Sequence, residues 1–199
     1  MTRRGPGVII IVGYLANAAA PAPLKQRGCA MTILGIDPGL ANTGWGIVET
    51  RGTLARARAY DCIHTSSRDK LDHRLGLIYN AIGHAIRDFD PDAVAIEGIY
   101  FGQNTRSAIW TAHARGAAIA ACASAGVEVG EYTPMQIKQS VVGTGSADKY
   151  QVTYMVRRIL ALDHDPKPDH CADALAAAVC HANTSRTKSI ATSDGRAVK

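Results

Sequence analysis

The hydrophobic pattern along the chain switches period more than once, and each switch marks an element. Three strand-like runs come first, Thr32–Ile36, Gly44–Thr50 and Leu54–Ile63, joined by short glycine-containing turns, which predicts an antiparallel meander. From Asp69 to Phe89 the period lengthens: Leu71, Leu75, Ile78, Ile82, Ile86 and Phe89 recur at the steps of an amphipathic helix, and Asp90-Pro91 ends it. Ala93–Gly98 is a short apolar run of the kind found in a buried parallel strand. An alanine-rich helix is predicted over Ser107–Ala125 and a strand over Val127–Tyr132. Further helices follow over Met135–Val142, Ala147–Leu162 and Asp169–Ala182, with Ser146 as the N-cap of the middle one. A meander followed by strands alternating with helices predicts an α/β domain, a mixed sheet covered by helices.

Length and composition narrow this picture. With 199 residues, 47% of them hydrophobic, the chain suits one globular domain with tails. The formal charge of +5 and a pI near 9.0 favour a polyanionic partner. Cys29, Cys62, Cys122, Cys171 and Cys180 form no CxxC pair, so reduced, buried thiols in a cytoplasmic protein are expected, without disulfide or zinc. At the amino terminus Arg3, Arg4 and the run Gly7–Ala22 imitate a secretory signal. Yet Met31 stands immediately before the first strand, where a start codon would be, and residues 1–30 are read as an extension from an upstream start or an unstructured leader, in preference to an export signal. The apolar run is too short to span a bilayer. The stretch from Asn183 to Lys199 is polar and without period, so residues 184–199 are read as a disordered tail and 31–183 as the domain.

Three acids stand where α/β sites gather. Asp37 ends the first strand, Glu97 ends the fourth, and Asp173 lies near the start of the last helix. Each has a plain structural explanation: a turn residue before Pro-Gly, an exposed strand terminus, a first-turn acid facing the helix dipole. Their combination argues for more, because Ile36 and Ile96 place both strand carboxylates at the edge of a buried sheet, where charge is costly unless paired or bound to a cation. On the last helix His170 shares a face with Asp173, while Asp169 reads as the N-cap. Carboxylates joined by one imidazole make an oxygen-rich site suited to Mg²⁺ or Mn²⁺, and phosphoryl chemistry is its usual use.

The segments "ILGIDPGLANTGWGIV", "AIEGIYFGQN", "QIKQSVVGTGSADKYQV" and "HCADALAAAVCH" occur in that order. Together they resemble the RuvC family of Holliday junction resolvases, in the RNase H-like superfamily, from about Met31 to Ala182. The resemblance implies an RNase H-like five-stranded mixed sheet flanked by helices. It also implies a metal site of Asp37, Glu97, Asp173 and His170, the last at a position where many members carry Asp and His is an accepted variant. A histidine there removes one negative charge and is softer than carboxylate, so Mn²⁺ can serve better than Mg²⁺; alternatively it positions or deprotonates the attacking water.

The implied reaction is in-line hydrolysis of a DNA phosphodiester with two divalent ions about 4 Å apart, leaving 5′-phosphate and 3′-hydroxyl ends. Asp37 is the candidate bridging ligand, with Glu97 on one ion and Asp173 and His170 on the other. Symmetric nicks in four-way junction DNA, in recombination and repair, imply a homodimer, and branch-migration partners of the RuvA and RuvB type follow from the family. Lys138 and Lys149 match positions that hold the DNA backbone, and Tyr100 matches an aromatic position for stacking on bases; Phe101, Arg106 and Arg115 are weaker candidates for the same surface. Without the resemblance, each lysine reads as a solvated side chain and the aromatics as core or interface.

Two other classes fit parts of the pattern. An actin-like ATPase or sugar kinase also opens with a strand, an acid and a glycine-rich hairpin, but needs a second large domain that this length excludes. A non-catalytic junction-binding module of the same fold would gain affinity by shedding carboxylates near phosphates, and the acids are present.

Overall fold

Alternation along the first strand decides which side of the sheet each residue serves. In β1 (Ala30–Asp37), Leu34 and Ile36 enter one hydrophobic core while Ile33 enters the other, so Gly35 and Asp37 follow Ile33. The computed structural model describes residues 30–99 and 105–194. β2 (Asn42–Arg51) and β3 (Leu54–His64) complete the predicted antiparallel meander, with a bulge where the register shifts between Ile47 and Val48. β4 (Ala93–Glu97) then pairs parallel to β1, and β5 (Val129–Tyr132) parallel to β4, giving the five-stranded order β3-β2-β1-β4-β5. The mixed sheet expected from the hydrophobic pattern is therefore present.

Helices cover both faces. On one side α1 (Leu71–Phe89) and α2 (Thr105–Ser124) bring Ile78, Ile82, Ile86, Ala114, Ala118 and Cys122 against Leu34, Ile36, Val94 and Ile96. The stop at Asp90-Pro91 is real: Asp90 caps α1 in the left-handed region, φ 43°, and its N–H donates to the Ile86 carbonyl. On the other side lie α3 (Pro134–Val142), α4 (Lys149–Ile159) and α5 (Asp169–Asp194), with Val141, Val152, Val156 and Leu175 packed on Ile33 and Val48.

Most element ends shift by a residue or more from expectation, and two of the shifts have a visible cause. Asp148, not Ser146, caps α4: its carboxylate accepts from the Gln151 N–H while the Gln151 side chain accepts from the Asp148 N–H, a capping box that outcompetes a lone serine hydroxyl. Ser146 instead bonds Thr144 within the preceding loop. The last helix does not stop at Ala182. Its polar continuation finds partners on the body: Asn183 donates to the Ser140 hydroxyl, Arg186 to the Gly52 carbonyl, and Thr184 back to the Cys180 carbonyl. Where the sequence has no apolar period, the helix nevertheless runs on to Asp194.

α5 lies so close to β1 and β2 that no side chain fits beneath it at Gly35 and Gly44. A Cβ built on Gly35 would collide with the Ala174 carbonyl, and one on Gly44 with the His170 carbonyl. Small residues on the helix, Ala174 and Ala178 among them, complete this fit. Gly44→Ala is expected to lower unfolding free energy by about 1–3 kcal/mol in urea titrations, the range for overpacking. Gly76→Ala, where a Cβ on α1 meets nothing within 4 Å, should instead stabilise by about 0.4–1 kcal/mol.

Candidate active site

Register places the first two acids side by side. Ile36 pairs with Ile96 in the parallel β1–β4 ladder, so Asp37 and Glu97 end neighbouring strands, both on the α5 face. The turn that carries the chain away from Asp37 is braced from several sides. Thr43, fully buried, donates its hydroxyl to the Gly39 carbonyl at 2.7 Å; the Thr65 N–H donates to the Ala41 carbonyl at 2.9 Å, and Arg74 Nε to the Thr65 hydroxyl at 2.8 Å. Asn42 and His64 meet at 2.7 Å across the β2–β3 ends. None of these supports is evident from the motif; only the fold brings residues 43, 65 and 74 to one loop.

Gly44 then admits the first turn of α5. His170 reaches Asp37 with Nδ1 at 2.7 Å from Oδ2, and Asp173 stands one turn further along the helix. Asp37, His170 and Asp173 each offer one possible ligand atom within 4.8 Å of the others, all three half-buried. Glu97 borders this cluster. Burial chiefly raises its carboxyl, and the charges of Asp37 and Asp173 with a hydrogen bond to Asp37 push it up to about 8, against the Lys138 ammonium, which lowers it. Asp173 is raised by burial and by Asp37, with Lys149 and His170 pulling the other way. His170 is raised chiefly by its hydrogen bond to Asp37, against the cost of burial. The cluster thus carries more negative charge than its own cations relieve, and its donor set of carboxylates and one imidazole fits a hard divalent cation.

The lysines sit differently from solvated side chains. Lys149, at the first position of α4, lies 3.4 Å from Asp173 and 3.3 Å from Asp169; burial works against its charge, but the two acids outweigh that and raise it. Asp169 is the first residue of α5 rather than the cap before it, and its carboxylate answers Lys149. Lys138, on α3, is near enough for its charge to act on Glu97. Arg115 is not a free cation for the same surface: its guanidinium is mostly buried and paired with Glu131 of β5. Tyr100, Phe101 and the Arg106 side chain lie outside the described residues, as do residues 1–29. The four described cysteines are free and buried. Among the described residues, no helix is long and apolar enough to cross a membrane.

A family model described as crossover junction endodeoxyribonuclease RuvC matches residues 33–181, from β1 into α5. The chain belongs to the RuvC family. It is 47% identical over 156 residues to the crossover junction endodeoxyribonuclease RuvC of Ruminiclostridium cellulolyticum, covering 78% of this chain and 94% of that one. Against RuvC of Alkaliphilus metalliredigens identity is 48% over 160 residues, 80% and 98% of the two chains. Among solved structures, Thermus thermophilus RuvC in complex with Holliday junction substrate aligns with TM-score 0.76 at 39% identity, over 79% of this chain and 96% of that one. The mixed sheet flanked by helices is accordingly the RNase H-like fold of the RuvC family.

The crowded charges set a pH dependence for the metal-free protein. Glu97, raised from 4.5 to about 8, binds more protons folded than unfolded, so its contribution to stability is complete below 4.5 and is lost as pH rises through about 8. The raised Asp173 and His170 act in the same direction. In chelator, urea midpoints are expected to fall from pH 5 to pH 8.5, and Glu97→Gln should flatten that fall; a slope unchanged in the variant would show that Glu97 is not its source.

Proposed function

We propose that this chain is a metal-dependent endodeoxyribonuclease that resolves four-way DNA junctions by paired symmetric nicks, in homologous recombination and repair. The observation that carries the reading is the meeting of Asp37, Glu97, His170 and Asp173 at the ends of β1 and β4 under α5, inside the segment matched by the RuvC family. Relatives named crossover junction endodeoxyribonuclease and a RuvC complex with a Holliday junction support the substrate class.

Two divalent ions, Mg²⁺ or Mn²⁺, would be held here and would supply Lewis-acid stabilisation of the attacking and departing oxygens of an in-line displacement. Asp37, which lies between Glu97 on one side and His170 on the other, would be shared by the two ions; Glu97 would hold one, and Asp173 and His170 the other. Asp37 engages His170 Nδ1, which fixes the ring and leaves Nε2 to bind a cation or hold the attacking water. Lys149 pairs with Asp169 and Asp173; a divalent ion held there would compete for those carboxylates, and the ammonium beside the cluster would then be available to a DNA phosphate. Lys138 holds the backbone on the Glu97 side, and Tyr100, following β4, meets a base. Paired nicks require two such centres, so the working form is a homodimer, served by branch-migration partners of the RuvA and RuvB type.

The test is cleavage of a synthetic four-way junction by the full chain in Mg²⁺ and separately in Mn²⁺. Asp37→Asn should cut more than about a hundred-fold slower, beyond the loss typical of an outer partner, while junction binding persists. His170→Ala separates the two roles of that residue. If His170 is a ligand, raising Mn²⁺ restores part of the rate; if it acts on water, no metal concentration does. Intact junctions in both metals despite tight binding would leave a non-catalytic binding module as the better reading.

A further inference from the structure

The outer face of α4 carries aromatic side chains that its packing does not require. The helix is fastened to the core by Val152 and Val156. Tyr150 and Tyr154 are 75% and 43% exposed, yet their rings stack on each other, 24° from parallel with centroids 6.5 Å apart. Arg157 continues the row, its guanidinium 5.5 Å from the Tyr154 ring centre and its Nε 3.4 Å from Asp165. At about 100° per residue, positions 150, 154 and 157 fall within about 60° of one another, on the side opposite Val152 and Val156. Such a face would ordinarily be polar.

The residue before the row touches the candidate active site. Lys149, immediately before Tyr150, places its ammonium 3.4 Å from Asp173. We infer that Tyr150 and Tyr154, edged by Arg157, form a stacking platform for an unpaired base of the DNA strand leaving the acidic cluster. This rests on the nuclease reading above and extends it with a track for the strand beyond the cut.

Three features select that occupant. Exposed flat rings offer a face to any base without reading its edge, and an arginine at the end of such a stack adds cation–π attraction. Paired bases already stack within the duplex, so the platform suits a base that is splayed out. Arg157 lies over the Tyr154 ring and the exposed Arg158 follows it, while Lys149 precedes Tyr150; a polyanion would exchange with the carboxylates that pair Lys149 and Arg157. A second copy of the chain fits less well: a two-fold contact through this face would set these cations against their own counterparts.

The experiment compares wild type, Tyr150→Ala, Tyr154→Ala and Tyr150→Phe by fluorescence anisotropy, in chelator, with a labelled oligothymidylate and a labelled four-way junction, and by junction cleavage in Mg²⁺ or Mn²⁺. Either alanine variant should bind oligothymidylate about ten-fold more weakly, in the range for loss of one base–aromatic stack, with the slope of affinity against salt unchanged because no cation is removed. Tyr150→Phe keeps the ring and should stay within about two-fold of wild type. Wild-type affinity in both alanine variants overturns the platform, as does a Phe variant as weak as Ala, or a shift of oligomeric state in sedimentation, which would assign the face to a contact between copies. The two readings fail separately. Unaltered binding and cutting by Tyr150→Ala rejects the platform alone, whereas a wild-type chain that binds through Tyr150 but cuts no junction rejects only the nuclease.

Discussion

The close seating of α5 on β1 and β2 is the constraint from which the rest of the site follows. Gly35 and Gly44 have no side chain to hold the helix away, and the Ala174 and His170 carbonyls occupy the space that a Cβ would take. Side chains at Gly35 and Gly44 would hold the helix further out and carry His170 and Asp173 away from Asp37. Seated as it is, the first turn of α5 delivers an imidazole within hydrogen-bond distance of a strand-end carboxylate. Tight packing here serves the chemistry as much as the core, because the contacts that bury Leu175 fully also position residues two and five places before it.

That seating has an electrostatic consequence. Burial first, and then the neighbouring acids, raise Glu97 and Asp173, whereas His170 holds its proton more tightly through its hydrogen bond to Asp37, against the cost of burial. The protein alone answers with Lys149 and Lys138, placed on α4 and α3 at the margin of the cluster. Two cations at the edge offset the repulsion only in part. The same imbalance that costs stability without metal favours binding of metal, since a divalent ion relieves several carboxylates at once and exchanges with their protons. Stability and function pull against each other at these residues, as expected of a site held in place by the structure around it.

The helices that carry the lysines also shape the surface beyond the acids. α3 and α4 each start from a capping box, Thr133 with Gln136 and Asp148 with Gln151, which fixes where their first turns begin. Because the box sets Lys149 at the first position of α4, Tyr150, Tyr154 and Arg157 follow on one outward strip while Val152 and Val156 turn inward. A cap of two side chains thereby sets the placement of a cation at the acidic cluster and of an aromatic row beside it.

Much of this was legible in the chain itself. Period-two runs, the 69–89 amphipathic stretch and the Asp90-Pro91 stop were enough for the sheet, its meander and most helices, since local steric and hydrophobic preferences act over a few residues. Asp37, Glu97, His170 and Asp173 could be singled out because each interrupts an apolar run or lies on the polar face that opens the last helix. Other features depended on residues far apart in sequence. That Lys149 answers Asp169 and Asp173, that Arg115 is paired with Glu131, that Thr43, Thr65 and Arg74 brace one turn, and that α5 continues past Ala182 are facts of contact between elements. Periodicity reports which face of an element is apolar; which charged groups meet across elements is decided only when packing fixes their distances, and electrostatic energy depends on those distances.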